Sequence, residues 1–301
     1  MAAAMSALAL AALVWPPLVA SQSAKTDGGA GAAQPALPDP PLPRGEEVLQ
    51  KVLAAVKDRT ERHVAAHFRS VQHTQMERFD EKGKLRDRED RVYDVGPLGG
   101  GVYARLVEKN GKSLSPVDLR DEQEREQRFL ERSKTQKFGG GDSDRVPLDQ
   151  ELFDRYKCEV VGRETVSGRA AIILHFWPRS IDLPIRRRQD YVLNKLTGKV
   201  WIDEQDWEIV KVDAHLTERV RVLLGLVASL EKVDLAFEQM RLGQGVYLPL
   251  KLSAYFEGRK LFTSLHERVE VTWTGQRPAV ETTGHPAATP APANTAAKPQ
   301  P

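Results

Sequence analysis

The chain has 301 residues and a single cysteine, Cys158. One thiol cannot close an internal disulfide, so an oxidising compartment is permitted without being required. Cys158 also lies far from the apolar N-terminal run, so no lipobox cysteine follows that run and no lipid is expected there. No histidine adjoins it. In Lys157-Cys158-Glu159-Val160-Val161-Gly162 it sits among strand formers, where a small buried apolar group is expected rather than a nucleophile. Charge of one sign is missing too. The 44 Lys and Arg nearly balance the 42 Asp and Glu, for a net charge of +2. That balance gives no ground for a nucleic-acid or strongly acidic partner. The one basic cluster, Arg186-Arg187-Arg188, reads first as a solvated loop and second as a contact for anionic lipid headgroups. Apart from residues 2–20, no apolar run approaches the about 20 residues that a spanning helix needs.

Catalytic signatures are likewise wanting. The glycine runs at 99–101 and 139–141 lack the Lys-Ser/Thr that completes a phosphate-binding loop. No serine stands in a Gly-x-Ser-x-Gly elbow. His266-Glu267 begins like a zinc protease motif, but Glu270 occupies the place of the second histidine. His63 and His67 are four apart, yet they fall where the chain turns towards strand, and no third ligand accompanies them. No catalytic residue, no metal ligand and no cofactor is therefore expected, and the chain is not expected to be an enzyme.

What is present begins with the ends. Residues Ala2 to Ala20 carry no charge, Pro16-Pro17 break the run, and small residues follow, as in a secretory signal peptide. Cleavage after Ala20, Ser21 or Ala24 would make residues 1–24 the signal segment, although its start carries no Lys or Arg. A short uncleaved anchor is the other reading. Residues 25–45, rich in Gly, Ala and Pro, read as a disordered linker. Residues 276–301, mostly Pro, Ala and Thr, read as a disordered tail. Residues 46–275 are left as a single domain, expected to be exported to the periplasm.

That domain opens with an amphipathic helix. Val48, Leu49, Val52, Leu53 and Val56 recur at helical spacing, with Lys51, Lys57, Asp58 and Arg59 on other faces. Ser115-Pro116 signals a second helix, cap followed by first helical residue, whose body is charged almost all round and expected to lie mostly in solvent. A short third helix is expected near Leu148 to Phe153. Elsewhere the pattern is that of strands. Asn110-Gly111 and Ser167-Gly168 mark hairpins, and further pairs are expected at 198–216 and 233–256. Val246, Leu248, Leu250, Leu252, Ala254 and Phe256 alternate with polar or aromatic residues, and Val210, Val212, Ala214 and Leu216 do the same. Strands of this kind build an antiparallel sheet with one apolar face. Such a face can line a cavity or close into an ordinary packed core, and the alternation alone allows both.

Two stretches add a resemblance. Gly198-Lys199-Val200-Trp201-Ile202-Asp203 followed by Trp207-Glu208-Ile209-Val210-Lys211-Val212, and later Gly245-Val246-Tyr247-Leu248-Pro249, resemble the consecutive strands of LolA-like proteins. Gly168-Arg169 before the strand Ala170–Phe176, with Pro178-Arg179 after it, fits the same order. The likeness covers about residues 46–275 and is nearer to the outer-membrane lipoprotein-sorting-like branch than to the lipoprotein carrier itself. It implies an α+β fold, a strongly curved antiparallel sheet (an incomplete β-barrel) with helices covering the concave face. It also implies a periplasmic, non-enzymatic carrier that holds the acyl chains of a lipid or lipoprotein in an apolar cavity. The alternative is an envelope interaction or sensor module that binds a protein partner on the same scaffold. If a cavity exists, its expected lining is Val200, Ile202, Val210, Val212, Leu235, Phe237, Leu252 and Phe256. The carrier's functional residues are not carried over, because the long charged helix and the Pro/Ala tail depart from the pattern.

Overall fold

The first expected helix spans Gly45–Arg62 (α1) in a computed structural model of the chain, which describes residues 41–62, 67–135, 148–187, 189–222, 228–243, 245–260 and 263–279. Glu46 and Glu47 sit in its first turn, where negative charge suits the helix dipole. Val48, Val52 and Val56, one turn apart, form its buried stripe. The expected signal segment, most of the expected linker, His63 and the tail beyond residue 279 lie outside the described residues.

The strands are β1 (Phe68–Phe79), β2 (Leu85–Leu98), β3 (Gly101–Lys109), β4 (Lys112–Ser113), β5 (Tyr156–Val166), β6 (Arg169–Pro178), β7 (Leu196–Asp203), β8 (Ile209–Leu216), β9 (Val220–Val222), β10 (Ala228–Gly243), β11 (Val246–Lys260) and β12 (Thr263–Pro278). Three further helices are α2 (Pro116–Thr135), α3 (Gln150–Phe153) and α4 (Asp190–Leu193). All pairings are antiparallel, in the order β4-β3-β2-β1-β12-β11-β10-β8-β7-β6-β5, with β9 against β10. The sheet is large and open, with β4 and β5 at its two ends. β12 closes the chain onto β1, and Pro278 stands opposite Phe68. That pairing carries the strand three residues past the boundary expected at 275.

Local chemistry explains the turns. Asn110 and Ser167 adopt φ of 52° and 49°, and Gly111 and Gly168 follow at 71° and 80°. Two consecutive positive φ values match the twist of a two-residue hairpin. Ser115 caps α2 by accepting the amide N–H of Asp118 at 3.1 Å, and its hydroxyl donates to the Asp118 carboxylate at 2.6 Å. α2 lies mostly in solvent, as its composition predicts, but one face meets β3. Its Glu122 is 6% exposed and accepts the Tyr103 hydroxyl at 2.8 Å, while Phe129 meets the Tyr103 ring at 5.0 Å. Arg125 bridges the same aromatic, and this patch, with the Arg105–Glu126 and Lys109–Asp118 ion pairs, fixes the helix on β3.

Two bulges correct the simple alternation. Trp201 pairs with Lys211 but Ile202 pairs with Ile209, so β8 holds one residue more than β7 at this point. The extra residue flips the side-chain register, and Val210 no longer shares a face with Val212. On β11, Lys251 pairs with Glu238 and Pro249 with Gln239, leaving Leu250 without an opposite residue and 39% exposed. The expected six-residue apolar row therefore holds only over Leu252, Ala254 and Phe256, whereas Val246, Tyr247 and Leu248 are buried together in another cluster.

Candidate functional site

Pairing register places the apolar residues across the sheet. Val200 faces Val212, Val212 faces Phe237, Phe237 faces Leu252, and Leu252 faces Val271. One row thus crosses β7, β8, β10, β11 and β12 on a single face, with Leu235 and Phe256 beside it on β10 and β11. Of the eight residues expected to line a cavity, seven belong to this face. Val210, turned over by the bulge, packs with Trp201, Ala171 and Tyr247 instead.

The face is occupied. Ile202 joins Ile172, Leu174 and Ile209 under the Val48, Val52 and Val56 stripe of α1. Leu235, Phe237, Leu252 and Phe256 pack with Val192 and Leu193 of α4. Half-buried Val200 packs in the cluster under α1, and half-buried Val212 is in contact with both clusters, so the two form one apolar layer. Two recesses lie elsewhere. One, about 800 Å³ and open, sits at the β1–β2 turn among Arg78, Asp87, Lys82 and Glu267. The other, at Phe68 and Leu248, holds only about 20 Å³.

Two polar clamps hold the helices down. The first is built on the β7–β8 turn. Asp203 Oδ1 accepts the amides of Gln205 and Asp206, both at 2.9 Å. Asp206 Oδ2 accepts Tyr247 Oη at 2.8 Å, Arg241 Nε at 2.9 Å and Arg169 Nη2 at 3.1 Å. The turn ends on Trp207 at φ 55°, an unusual backbone for a bulky side chain. Its indole lies 4.1 Å from Lys51 Nζ of α1. The next residue, Glu208, pairs with Arg59 of α1, and both side chains are 3% exposed. Burial raises the Glu208 carboxyl to about 7 against the opposing pull of Arg59. Burial works against Asp203 as well, but the hydrogen bonds from Arg169 and the turn amides win and hold it at about 2.

The second clamp holds α4. Asp190 is fully buried and accepts the amides of Arg186 at 2.7 Å and Arg187 at 2.9 Å. Arg155, 4% exposed, stands 3.2 Å from it and donates to Asn194 Oδ1 at 2.7 Å. The Tyr156 hydroxyl donates to the Leu193 carbonyl at 2.6 Å. Burial opposes the Asp190 charge, yet the two amides and Arg155 lower its pKa.

Reactive chemistry is sparse. Cys158 is half-buried against the cluster under α1, and burial pushes its thiol up to about 11. Among the described residues no three His, Cys, Asp or Glu side chains gather as a metal site requires. None of the described helices is long and apolar enough to cross a membrane.

The chain is similar at low identity to several solved structures. One is an outer-membrane lipoprotein-sorting protein domain from Vibrio parahaemolyticus, 12% identical, covering 80% of this chain and 94% of that one, with a TM-score of 0.35. Another is the LolA superfamily protein NE2245 from Nitrosomonas europaea, 10% identical over 78% of this chain and 94% of that one, TM-score 0.32. A third is the MucA/MucB complex of Pseudomonas aeruginosa, 11% identical over 78% and 98%, TM-score 0.22. All three scores lie below 0.5, too loose a superposition to transfer a role to any residue. No protein-family model and no curated protein matches the chain.

Sequence reasoning missed Arg59, Glu208, Arg155 and Asp190. Isolated buried charges leave no periodic trace. The turn that presents Glu208 was visible as Asp203-Glu204-Gln205-Asp206, led by an aspartate placed to catch the amides two and three residues on.

Proposed function

We propose that the chain is a non-enzymatic, exported envelope protein that binds acyl chains of a lipid or lipoprotein on the β7–β12 face, with α1 as the removable cover. The observation that carries this reading is the unbroken apolar row from Val200 to Val271, covered at its β7–β8 end by an amphipathic helix and further along by Val192 and Leu193 of α4 rather than by a second sheet. The uncharged run at residues 2–20 supports export.

Magnitudes decide whether such an exchange is possible. Burying three valines contributes on the order of 5–9 kcal/mol, at about 1.5–3 each. An acyl chain of about 16 carbons gains on the order of 12 kcal/mol on leaving water. The ligand therefore outbids the stripe of α1, provided that the Arg59–Glu208 pair can be resolvated as the helix lifts. Specificity in such a site is loose, because apolar contacts carry no direction.

A fluorescent fatty-acid probe titrated into purified, delipidated protein tests the proposal, together with hydrogen exchange along residues 45–62. Saturable binding with faster exchange in α1 is expected. No binding, and no co-purified acyl species in native mass spectra, overturns it. The second reading, a module for an envelope protein partner, draws on the packing of the face itself, since Ile202, Leu252 and Phe256 are 3% exposed or less. In that case α1 stays protected whatever lipid is added.

A further inference from the structure

The segment between β6 and α4 carries an apolar tip among guanidinium groups. Ile181 is 92% exposed and Ile185 51% exposed. Arg179 and Arg186 are exposed beside them, and Arg187 is partly so. An isoleucine this open packs against little among the described residues, and a slack loop could fold it away.

This loop is not slack. The Arg179 amide donates to the Arg155 carbonyl at 2.8 Å. The carbonyls of Leu183 and Pro184 accept Asn194 Nδ2 at 3.0 and 3.3 Å, and Arg155 Nη1 reaches the Pro184 carbonyl at 3.3 Å. At its far end the amides of Arg186 and Arg187 are held by buried Asp190. Buried Arg155 and Asp190 thus set the backbone that presents Ile181 and Ile185 outward.

We propose that this loop docks the protein onto an anionic lipid surface. Ile181 and Ile185 enter the boundary between headgroups and acyl chains, while the neighbouring arginines meet lipid phosphates. That division suits the chemistry, since apolar tips gain by leaving water and guanidiniums pair with phosphate oxygens. Three carboxylates temper the local charge. Asp182 lies in the loop, Glu151 stands 3.4 Å from Arg186 and 3.6 Å from Arg187, and Asp190 is already held by backbone amides and Arg155. Arg186 remains 68% exposed with nitrogens to spare. The proposal stands whether or not the sheet face carries acyl chains.

The test places an environment-sensitive dye on the loop, using Ile181→Cys in a Cys158→Ala background of the full chain. The control is the same dye at Val117→Cys, on exposed α2. Vesicles of equal phosphatidylcholine and phosphatidylglycerol are added, and then vesicles of phosphatidylcholine alone. A blue shift at position 181, quenched by nitroxide-bearing lipid, is expected with the anionic vesicles and not at position 117. Sedimentation with the same vesicles should fall about tenfold on Ile181→Ser with Ile185→Ser and about fivefold on Arg186→Gln. High salt should weaken it further. Circular dichroism shows that the variants fold. A dye that stays in water with anionic vesicles overturns the proposal. So does a shift equal on neutral vesicles, or sedimentation that the paired Ile→Ser substitutions leave unchanged. Capture of an acidic protein without a vesicle response overturns it as well.

Discussion

Replacing Glu208 should cost more than replacing Arg59, although both belong to one ion pair. Each side chain is 3% exposed, so removing either strands the other in a dry site. Glu208→Leu leaves a guanidinium that cannot shed its proton. Its Nε keeps the 3.4 Å contact to the Ala55 carbonyl, but its charge has lost its carboxylate. A buried charge orphaned in this way costs about 3–5 kcal/mol. Arg59→Met leaves a carboxyl that burial holds at about 7 with Arg59 present. Without that positive neighbour it titrates higher still, so at pH 7.5, where the parent's carboxyl is mostly ionised, it keeps its proton and stays neutral. The loss then shrinks to that of an imperfect buried hydrogen bond, about 1–3 kcal/mol. The double variant with both changes should fall near the parent or above it, as apolar replacements of buried pairs do. Urea unfolding at pH 7.5, followed by far-ultraviolet circular dichroism, closes the cycle. At higher pH the Arg59→Met variant should lose the advantage. Equal costs for the two single variants at pH 7.5 would refute the reasoning, and so would a double variant whose cost is their sum.

Stability of the parent should peak in mildly acidic solution. Glu208, raised from 4.5 to about 7, favours the folded state most below its unfolded value, and that contribution disappears as pH rises through 7. Asp203, lowered from 3.8 to about 2, contributes above its unfolded value and loses the contribution as pH falls through 2. Urea midpoints between pH 2 and pH 9 should trace both flanks, and a midpoint that keeps rising above pH 7 speaks against the Glu208 assignment. The bulge on β11 predicts a sharp contrast between near neighbours. Leu250→Ser, at a looped-out residue 39% exposed, should change stability by about 0.5 kcal/mol or less. Leu252→Ala, 1% exposed, should cost about 2–5 kcal/mol. Equal losses at the two positions would restore the uninterrupted alternation.

Much of the architecture was legible because local chemistry and long-range pairing agree. The α1 stripe, the Ser115 cap and the Asn110-Gly111 and Ser167-Gly168 turns each follow from side chains within a few residues of one another. The face that Val212 shares with Val200 and Phe237 was legible for the same reason, since period-two alternation needs no knowledge of the partner strand. Val210 and Leu250 were misplaced because a bulge is decided across strands. The extra residue on β8 reveals itself only when Ile202 meets Ile209. The β9 strand and α4 went unseen at three and four residues, too short for either period to repeat. As for the cavity, the strands show that the face is apolar but not what lies on it. Val192 and Leu193 reach it from a turn of helix that Asp190 and Arg155 position.

The two bulges and the two clamps act together. The β7–β8 bulge sends Val210 to the far cluster and, within the same few residues, brings Glu208 beneath α1. One irregularity therefore turns Val210 off the shared face and supplies the charge that locks its cover. The cover is held at its C-terminal end by one desolvated ion pair, and elsewhere mainly by non-directional contact through Val48, Val52 and Val56. Apolar contact of that kind can be exchanged for any hydrocarbon of similar size, whereas the ion pair cannot, because each partner needs either the other or water. Release of α1 is accordingly gated at Arg59 and Glu208 rather than along the valine stripe. A protein whose pair is replaced by Met and Leu should keep its fold yet admit the acyl probe with a changed rate of α1 opening, because the lifting helix no longer has a charge to resolvate.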